Sequence, residues 1–511
     1  MAETIRGLLA PHAADLPAIL APDRAPLSHG DLRQLADTTL ATLALLGIGR
    51  NERVAIVLPN GPEMATAFIA LACGCTTAPL NPAYREEEFD FYLTDLRAKA
   101  LVVLDGDETP AVAVARRQGV AILRLHAPSD RPAGWFELRP EADSADAIAG
   151  EPQPALEDDV ALVLHTSGTT SRPKIVPLLH RNLAASARHI RTTLALTPDD
   201  RCLNVMPLFH IHGLIAAVTT SLSAGASIYC TPGFNALRFF HWLEDAAPTW
   251  YTAVPTMHQA ILPRAQRNPE VLAKSRLRLI RSSSASLPPQ VMLALEETFG
   301  APVIESYGMT EATHQMTSNP LPPAARKPGS VGIGAGPLVR ICDDAGVFLD
   351  SGAEGEVVIS GPNVTPGYEA NPDANLKNFF ESDGRRWFRT GDQGIMDAEG
   401  YLRITGRLKE IINRGGEKVS PLEVDDVLMD HPAVAQVVTF AMPHDKLGEE
   451  VACAVVLRDG MVVVEQEIRS FAAGRLADFK VPRKVLILEE IPKGATGKLQ
   501  RIGLAQKLGL G

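Results

Sequence analysis

Along the first 150 residues two apolar rhythms alternate. "HGDLRQLADTTLATLALLGI" spaces its leucines and alanines at helical intervals, "RVAIVLP" is a short apolar run that suits a buried strand, and "GPEMATAFIALACGC" returns to helix. The succession recurs in "KALVVLDG", "ETPAVAVARRQG" and "VAILRLH". Short apolar strands that each lead into a helix predict a parallel sheet with helices on both faces. From Ala127 to about Leu156, Pro, Asp and Ala dominate, which predicts an irregular surface connection.

From Asp158 the pattern sharpens. "DVALVLHTSGTTSRPKIVPLLHRNL" is an apolar strand, a loop of hydroxyl residues and glycine, and a second strand or turn leading to a helix near His180. The same grammar repeats in "PTWYTAVP" with "TMHQAILPRAQ", in "LRLIRSSSASLP" with "PQVMLALEETFG", and in "PVIESYGMTEATH". Open parallel sheets bind ligands at the carboxyl ends of their strands, so these loops are where chemistry is expected. Beyond about Lys327 helices become scarce and glycines frequent, which predicts a small β-rich subdomain. After Arg407 helical and strand patterns mix again and predict a separate α+β domain.

A chain of 511 residues is too long for one core, which agrees with several subdomains. A formal net charge of -11 gives no electrostatic reason to expect nucleic acid or an anionic membrane as partner. The six cysteines are scattered without zinc-site spacing and suit reduced thiols. Glu3, Arg6, His12 and Asp15 interrupt the apolar positions of the N-terminus, no apolar run reaches membrane-spanning length, and the terminal "KLGLG" is not a peroxisomal signal. A cytoplasmic location is the expectation.

The densest chemistry lies in Thr166-Ser167-Gly168-Thr169-Thr170-Ser171-Arg172-Pro173-Lys174. Hydroxyl donors, a glycine that permits close backbone approach and two cations suit a phosphate chain, although the spacing is not that of the common P-loop. The loop resembles the phosphate-binding signature of the adenylate-forming superfamily. Further motifs follow in the superfamily's order: Tyr307-Gly308-Met309-Thr310-Glu311, "WFRTGDQG" with Asp392, "GRLKE" with Arg407, and "PKGATGKLQR" with Lys498. The family commonly has glycine where this chain has Ser171, and a serine would strain a left-handed turn there.

The resemblance implies a role for each residue. Tyr307 would stack near adenine, Thr310 would contact the α-phosphate, and Glu311 would help hold Mg2+. Asp392 would bind the ribose hydroxyls and Arg407 would add a ribose or phosphate contact, while Ser284, Ala285, Ser286, Glu305 and Ser306 complete the nucleotide loops. Lys498 would finish the adenylation site from a mobile C-terminal domain. The chemistry suits these residue types: carboxylate attack on the α-phosphorus of ATP brings anion toward anion, so cations must neutralise the growing charge. The implied architecture is α/β, with an N-terminal adenylation domain over residues 1–406, its β-rich part at about 327–406, and a mobile α+β domain over 407–511.

Likeness to the acyl-CoA synthetase branch implies CoA as acceptor, a hinge at Lys409, and a second C-terminal face at Gly415, Gly416 and Glu417 lining the pantetheine channel. A plain hairpin turn is the alternative reading of the paired glycines. For the acid, "PLFHIHG", "RSSSASLPP" and "TEATHQMTSNP" offer hydrogen-bond donors rather than an apolar tunnel. These segments look like the oxalyl-CoA synthetase branch, which implies acid contacts from His212, Ser283 or Ser284, and His314, with His210 at the passage between the ATP and acid sites. The expected ligands are therefore a small carboxylic acid, ATP, Mg2+ and CoA, with no obligate protein partner. Malonate or another short, medium-chain or aryl acid, a carrier-protein acceptor, luciferase-like oxidation and a noncatalytic role are the alternatives. Arg281 is a weak candidate for an acid-pocket arginine because its strand could direct it away.

Overall fold

In the computed structural model, which describes residues 3–141, 150–166, 173–493 and 499–511, strands rich in Val, Ile and Leu pair as the alternating pattern demands. Ala121–His126, Ala100–Leu104, Arg53–Val57, Thr76–Pro79 and Val160–Thr166 lie side by side in parallel. Antiparallel strands Glu137–Pro140 and Lys174–Leu179 close the two edges of this sheet. The first of these corrects the expectation of a wholly irregular connection after Ala127. A short, mostly exposed edge strand ending in proline has too little apolar alternation to be read from sequence.

A second sheet runs in parallel through Pro17–Leu20, Ser227–Cys230, Arg201–Asn204, Trp250–Ala253, Leu279–Ser283 and Val303–Met309. Beyond Val303–Met309 the chain turns back as His314–Ser318, which pairs antiparallel with it. Helix Pro62–Ala72 packs against strands of both sheets, which is why its whole circumference is buried and its sequence is apolar throughout. Helix His29–Leu45 starts at a capping box in which Ser28 and Asp31 satisfy each other's backbone N–H groups.

The third sheet is antiparallel, built from Leu338–Cys342, Glu354–Ser360, Arg385–Met396, Phe379–Ser382 and Leu402–Arg407. The fourth centres on Gly448–Leu457, flanked by Val434–His444 and Lys484–Leu488, with helices Pro421–Met429 and Glu465–Ala473 packed beside it. Ser420 Oγ donates to the Thr405 carbonyl and Gln290 to the Asp430 carboxylate, so helix Pro421–Met429 is tied at both ends to the rest of the chain. All six cysteines are buried free thiols. Among the described residues no helix is long and apolar enough to cross a membrane.

Candidate active site

Strand Val160–Thr166 ends where the hydroxyl-rich loop begins, and Thr166 lies across from Lys174, the first residue of the returning strand. Ser167, Gly168, Thr169 and Thr170, with Ser171 and Arg172, lie outside the described residues, as does Lys498. The Lys174 ammonium sits 4.4 Å from the centre of the Tyr368 ring, a cation–π contact. Burial and then the Lys409 charge lower its pKa, and Glu311 opposes them. The Tyr368 hydroxyl in turn donates to Glu311 Oε1 at 2.8 Å. Glu311 is buried, which raises its pKa, while hydrogen bonds and the charges of Arg407 and Lys174 pull the other way. Thr310 opens the short 3-10 turn that carries Glu311. The structure thus brings Lys174, Glu311 and Tyr368 into one chain of contacts.

On the nucleotide side, the Tyr307 hydroxyl donates to Asp392 Oδ2 at 2.5 Å and Arg407 Nε donates to Asp392 Oδ1 at 2.8 Å. Asp392 and Arg407 face each other on paired strands Arg385–Met396 and Leu402–Arg407, while Tyr307 comes from the second sheet. Three residues predicted to surround one nucleotide therefore meet. Below them Glu305 is almost wholly buried, accepts the Leu287 N–H at 2.9 Å, and leaves Oε2 without a partner among the described residues. Burial pushes its pKa up to about 8, so it is largely protonated at neutral pH. Ser306 is buried, whereas Ala285 and Ser286 are exposed beside the strand ends.

On the acid side, His212 is fully buried at the start of a π-helical segment, His212–Thr219. Thr219 and Thr220 hydroxyls bond the carbonyls five residues back and so support the wider turn, a local geometry often found at functional sites. His212 Nδ1 lies 3.0 Å from Ser284 Oγ and its Nε2 lies 2.6 Å from Thr252 Oγ1. The His314 ring centre is 4.9 Å from that of His212. His210 sits two residues before, its Nδ1 3.4 Å from the His212 backbone N–H. Of the serine run, Ser284 meets His212, while Ser283 Oγ donates to the Ser306 carbonyl at 2.9 Å and Ser282 Oγ is buried without a partner among the described residues. Ser284 and His314 both hold left-handed backbone, at φ +77° and +96°, the kind of local strain that clusters at binding sites.

The side chain of Arg281 is not directed away. It is fully buried, with its guanidinium 3.4 Å from both His212 Nε2 and His314 Nδ1, 3.5 Å from Thr252 Oγ1 and 3.4 Å from Gln315 Oε1. Among the described residues no carboxylate figures in its charge environment; burial lowers its pKa to about 9. Thr252 and Tyr368 are the residues that sequence reasoning missed, and Arg281, a weak candidate there because its strand could direct it away, points inward instead. The available signal for Arg281 was a single charge inside the strand Leu279–Ser283, "LIRSS".

In the C-terminal part, Lys409 is exposed in the turn that follows strand Leu402–Arg407. Gly415 and Gly416, at φ +60° and +100°, form the two-residue turn of a hairpin between Ile412–Arg414 and Glu417–Val419. Positive φ at both positions is what such a turn needs, and both glycines and Glu417 are exposed. On either side of the undescribed residues 494–498, Lys493 pairs with Leu499 and Arg501 bonds the Asp425 carboxylate of helix Pro421–Met429. Among the described residues no group of three or more His, Cys, Asp or Glu side chains converges as a metal cage.

Comparisons with known proteins find relatives over almost the whole chain. An oxalate–CoA ligase of Arabidopsis thaliana is 45% identical, with 99% of this chain and 98% of that one aligned. An oxalate–CoA ligase of Saccharomyces cerevisiae is 42% identical over 89% of this chain and 87% of its own. The crystal structure of ATP-bound MatB from Rhodopseudomonas palustris matches with a TM-score of 0.86 at 30% identity, covering 100% of this chain and 98% of that one. With the AMP-binding enzyme pattern matched over residues 10–369 and that of the AMP-binding enzyme C-terminal domain over 423–498, the chain belongs to the AMP-binding enzyme family.

Proposed function

We propose that this chain is an AMP-forming acid–thiol ligase that joins oxalate to CoA through an oxalyl-AMP intermediate. The observation that carries the reading is the buried constellation of His212, Ser284, His314 and Arg281, supported by the two oxalate–CoA ligase relatives. An acyl pocket for a hydrocarbon chain has no use for two imidazoles, a hydroxyl and a guanidinium at its floor, because burying them without a polar ligand is costly. A two-carbon dianion can take donors from Ser284 and His314, with His212 and Arg281 behind them.

In the first half-reaction one oxalate carboxylate attacks the α-phosphorus of ATP and pyrophosphate leaves. Lys174, Arg407 and Lys498 supply positive charge around the phosphates, and Tyr307 with Asp392 holds the nucleoside. Glu311 fits a role in holding Mg2+, since that ion is commonly bound through one or two carboxylates and completes its shell with phosphate oxygens and water. Bound there, Mg2+ would neutralise charge on the phosphates. The Tyr368 hydroxyl fixes the rotamer of Glu311 for that purpose. In the second half-reaction the CoA thiol attacks the acyl carbonyl and AMP leaves. In this reading the domain beyond Lys409 turns to exchange the Lys498 face for the Gly415-Gly416-Glu417 face, because a lysine poised on departing pyrophosphate blocks the thiol's approach.

The test is pyrophosphate release with ATP and Mg2+ across oxalate, malonate, acetate, octanoate and coumarate, with and without CoA. A dominant oxalate signal with CoA-dependent AMP release is expected. Preference for malonate would move the substrate one carbon longer, and preference for octanoate or coumarate would remove the polar-pocket assignment.

A further inference from the structure

We infer that Arg281 is the positioning residue that makes the acid pocket selective for a dianion, by fixing the proton positions of His212 and His314 and by holding one uncompensated positive charge behind them. The inference rests on the oxalate reading of the same pocket. Arginine reaches most buried sites with a carboxylate in tow, because an isolated charge in a low-dielectric interior is strongly unfavourable. Here the guanidinium is fully buried, and the groups the described residues set against it are two imidazoles, a hydroxyl and an amide oxygen, with no carboxylate among them. Its Nε has no partner among the described residues. The charge is therefore balanced by something that binds.

The hydrogen-bond directions follow from the guanidinium's having donors only. His212 Nε2 and His314 Nδ1, each 3.4 Å from an Arg281 nitrogen, are then the unprotonated ring atoms. The Thr252 hydroxyl, 2.6 Å from His212 Nε2, donates to the same nitrogen. His212 Nδ1 carries the proton and donates to Ser284 Oγ, 3.0 Å away, so the Ser284 hydroxyl proton is directed elsewhere as a donor. His314 carries its proton on Nε2, the edge remote from the arginine. Arg281 thus converts two ambidextrous rings into one-way donors and adds a charge that a monoanion leaves half used. Once one carboxylate has become the mixed anhydride with AMP, the second still bears the charge that Arg281 balances.

The experiment compares oxalate with oxamate, in which an amide replaces the second carboxylate, in wild type, Arg281→Met and Arg281→Lys. Adenylation is followed by pyrophosphate release and folding by thermal melting without ligand. Wild-type turnover of oxalate is measured first, and its absence overturns both the functional reading and this inference. The expected result is a loss of about 100-fold in kcat/KM for oxalate in Arg281→Met, carried mainly by KM, the size typical of removing a buried charge partner. Oxamate turnover stays within about threefold and Arg281→Lys recovers part of the oxalate KM. The unliganded melting temperature of Arg281→Met does not fall, because a neutral side chain of similar volume replaces a charge that has no counter-ion. Equal losses on both acids, or an unchanged oxalate KM, overturn the assignment to Arg281 while leaving oxalate as the substrate.

Discussion

Glu305 shows how much one buried side chain sets the response to pH. An exposed glutamate in the unfolded chain releases its proton near 4.5, whereas burial holds the folded group to about 8. Between those values the folded state keeps a proton that the unfolded state has lost, so this residue's contribution makes stability fall as pH rises through the window. Glu305→Gln keeps the acceptor for the Leu287 N–H and has nothing to ionise. Its melting temperature is expected to match wild type near pH 5 and to exceed it at pH 8, by a stability on the order of 3 kcal/mol. Melting curves across that range check it, and an advantage that is the same at both ends would mean that Glu305 does not titrate as described. The sequence lists Glu305 next to Ser306 and Tyr307, but a one-letter string carries no depth, and burial is the largest cause of this shift.

At the scale of elements, the acid pocket depends on how two strands meet. Strand Val303–Met309 and strand His314–Ser318 are joined by the Thr310–Ala312 turn, with a register shift between Tyr307 and Gly308. A Cβ on Gly308 would stand 1.5 Å from the His314 carbonyl oxygen. Glycine is thus required there for the return strand to close and for His314 to reach Arg281. Gly308→Ala is expected to push the return strand outward, to cost about 3 kcal/mol of stability as an overpacked core position does, and to raise the oxalate KM. Melting and adenylation assays together test this, and a variant with normal melting and normal KM would show that the approach is relieved without moving His314. The strands and helices themselves were legible, from Arg53–Val57 through His180–Thr193 to Pro289–Phe299, because each has an apolar run or period bounded by turn residues. The direction of Arg281 was not. Inward and outward alternate clearly on a sheet with one wet face, but Leu279–Ser283 is a central strand buried on both faces, so sequence parity cannot say which side the arginine enters.

For the whole molecule, the proposed mechanism needs the C-terminal domain to reach the site built on the N-terminal sheets. Arg501 bonds Asp425, whose own carboxylate is also held by the Thr439 N–H at 2.7 Å, and this anchors the segment that follows Lys498 to helix Pro421–Met429. Glu410 stands 3.8 Å from the same arginine, close to the turn that holds Lys409. Arg501, three residues after Lys498, is therefore held to the same domain that turns in the proposed exchange. Lys498→Ala is expected to lower oxalyl-AMP formation by at least about 100-fold while leaving thioester formation from supplied oxalyl-AMP within a few-fold of wild type. Single-turnover assays of the two half-reactions decide it, and equal loss in both would remove the division of labour between the two faces.

Sequence alone determined the family, the alternation of strands and helices, and the order of the nucleotide motifs, because these depend on residue type and spacing along the chain. The relatives and the fold agree with those readings. Tertiary structure decided which serine faces His212, that Arg281 lies between two imidazoles with no counter-ion among the described residues, and that Tyr368 braces Glu311. Each of those is a contact between residues far apart in sequence, where burial and direction come from packed sheets rather than from local propensity.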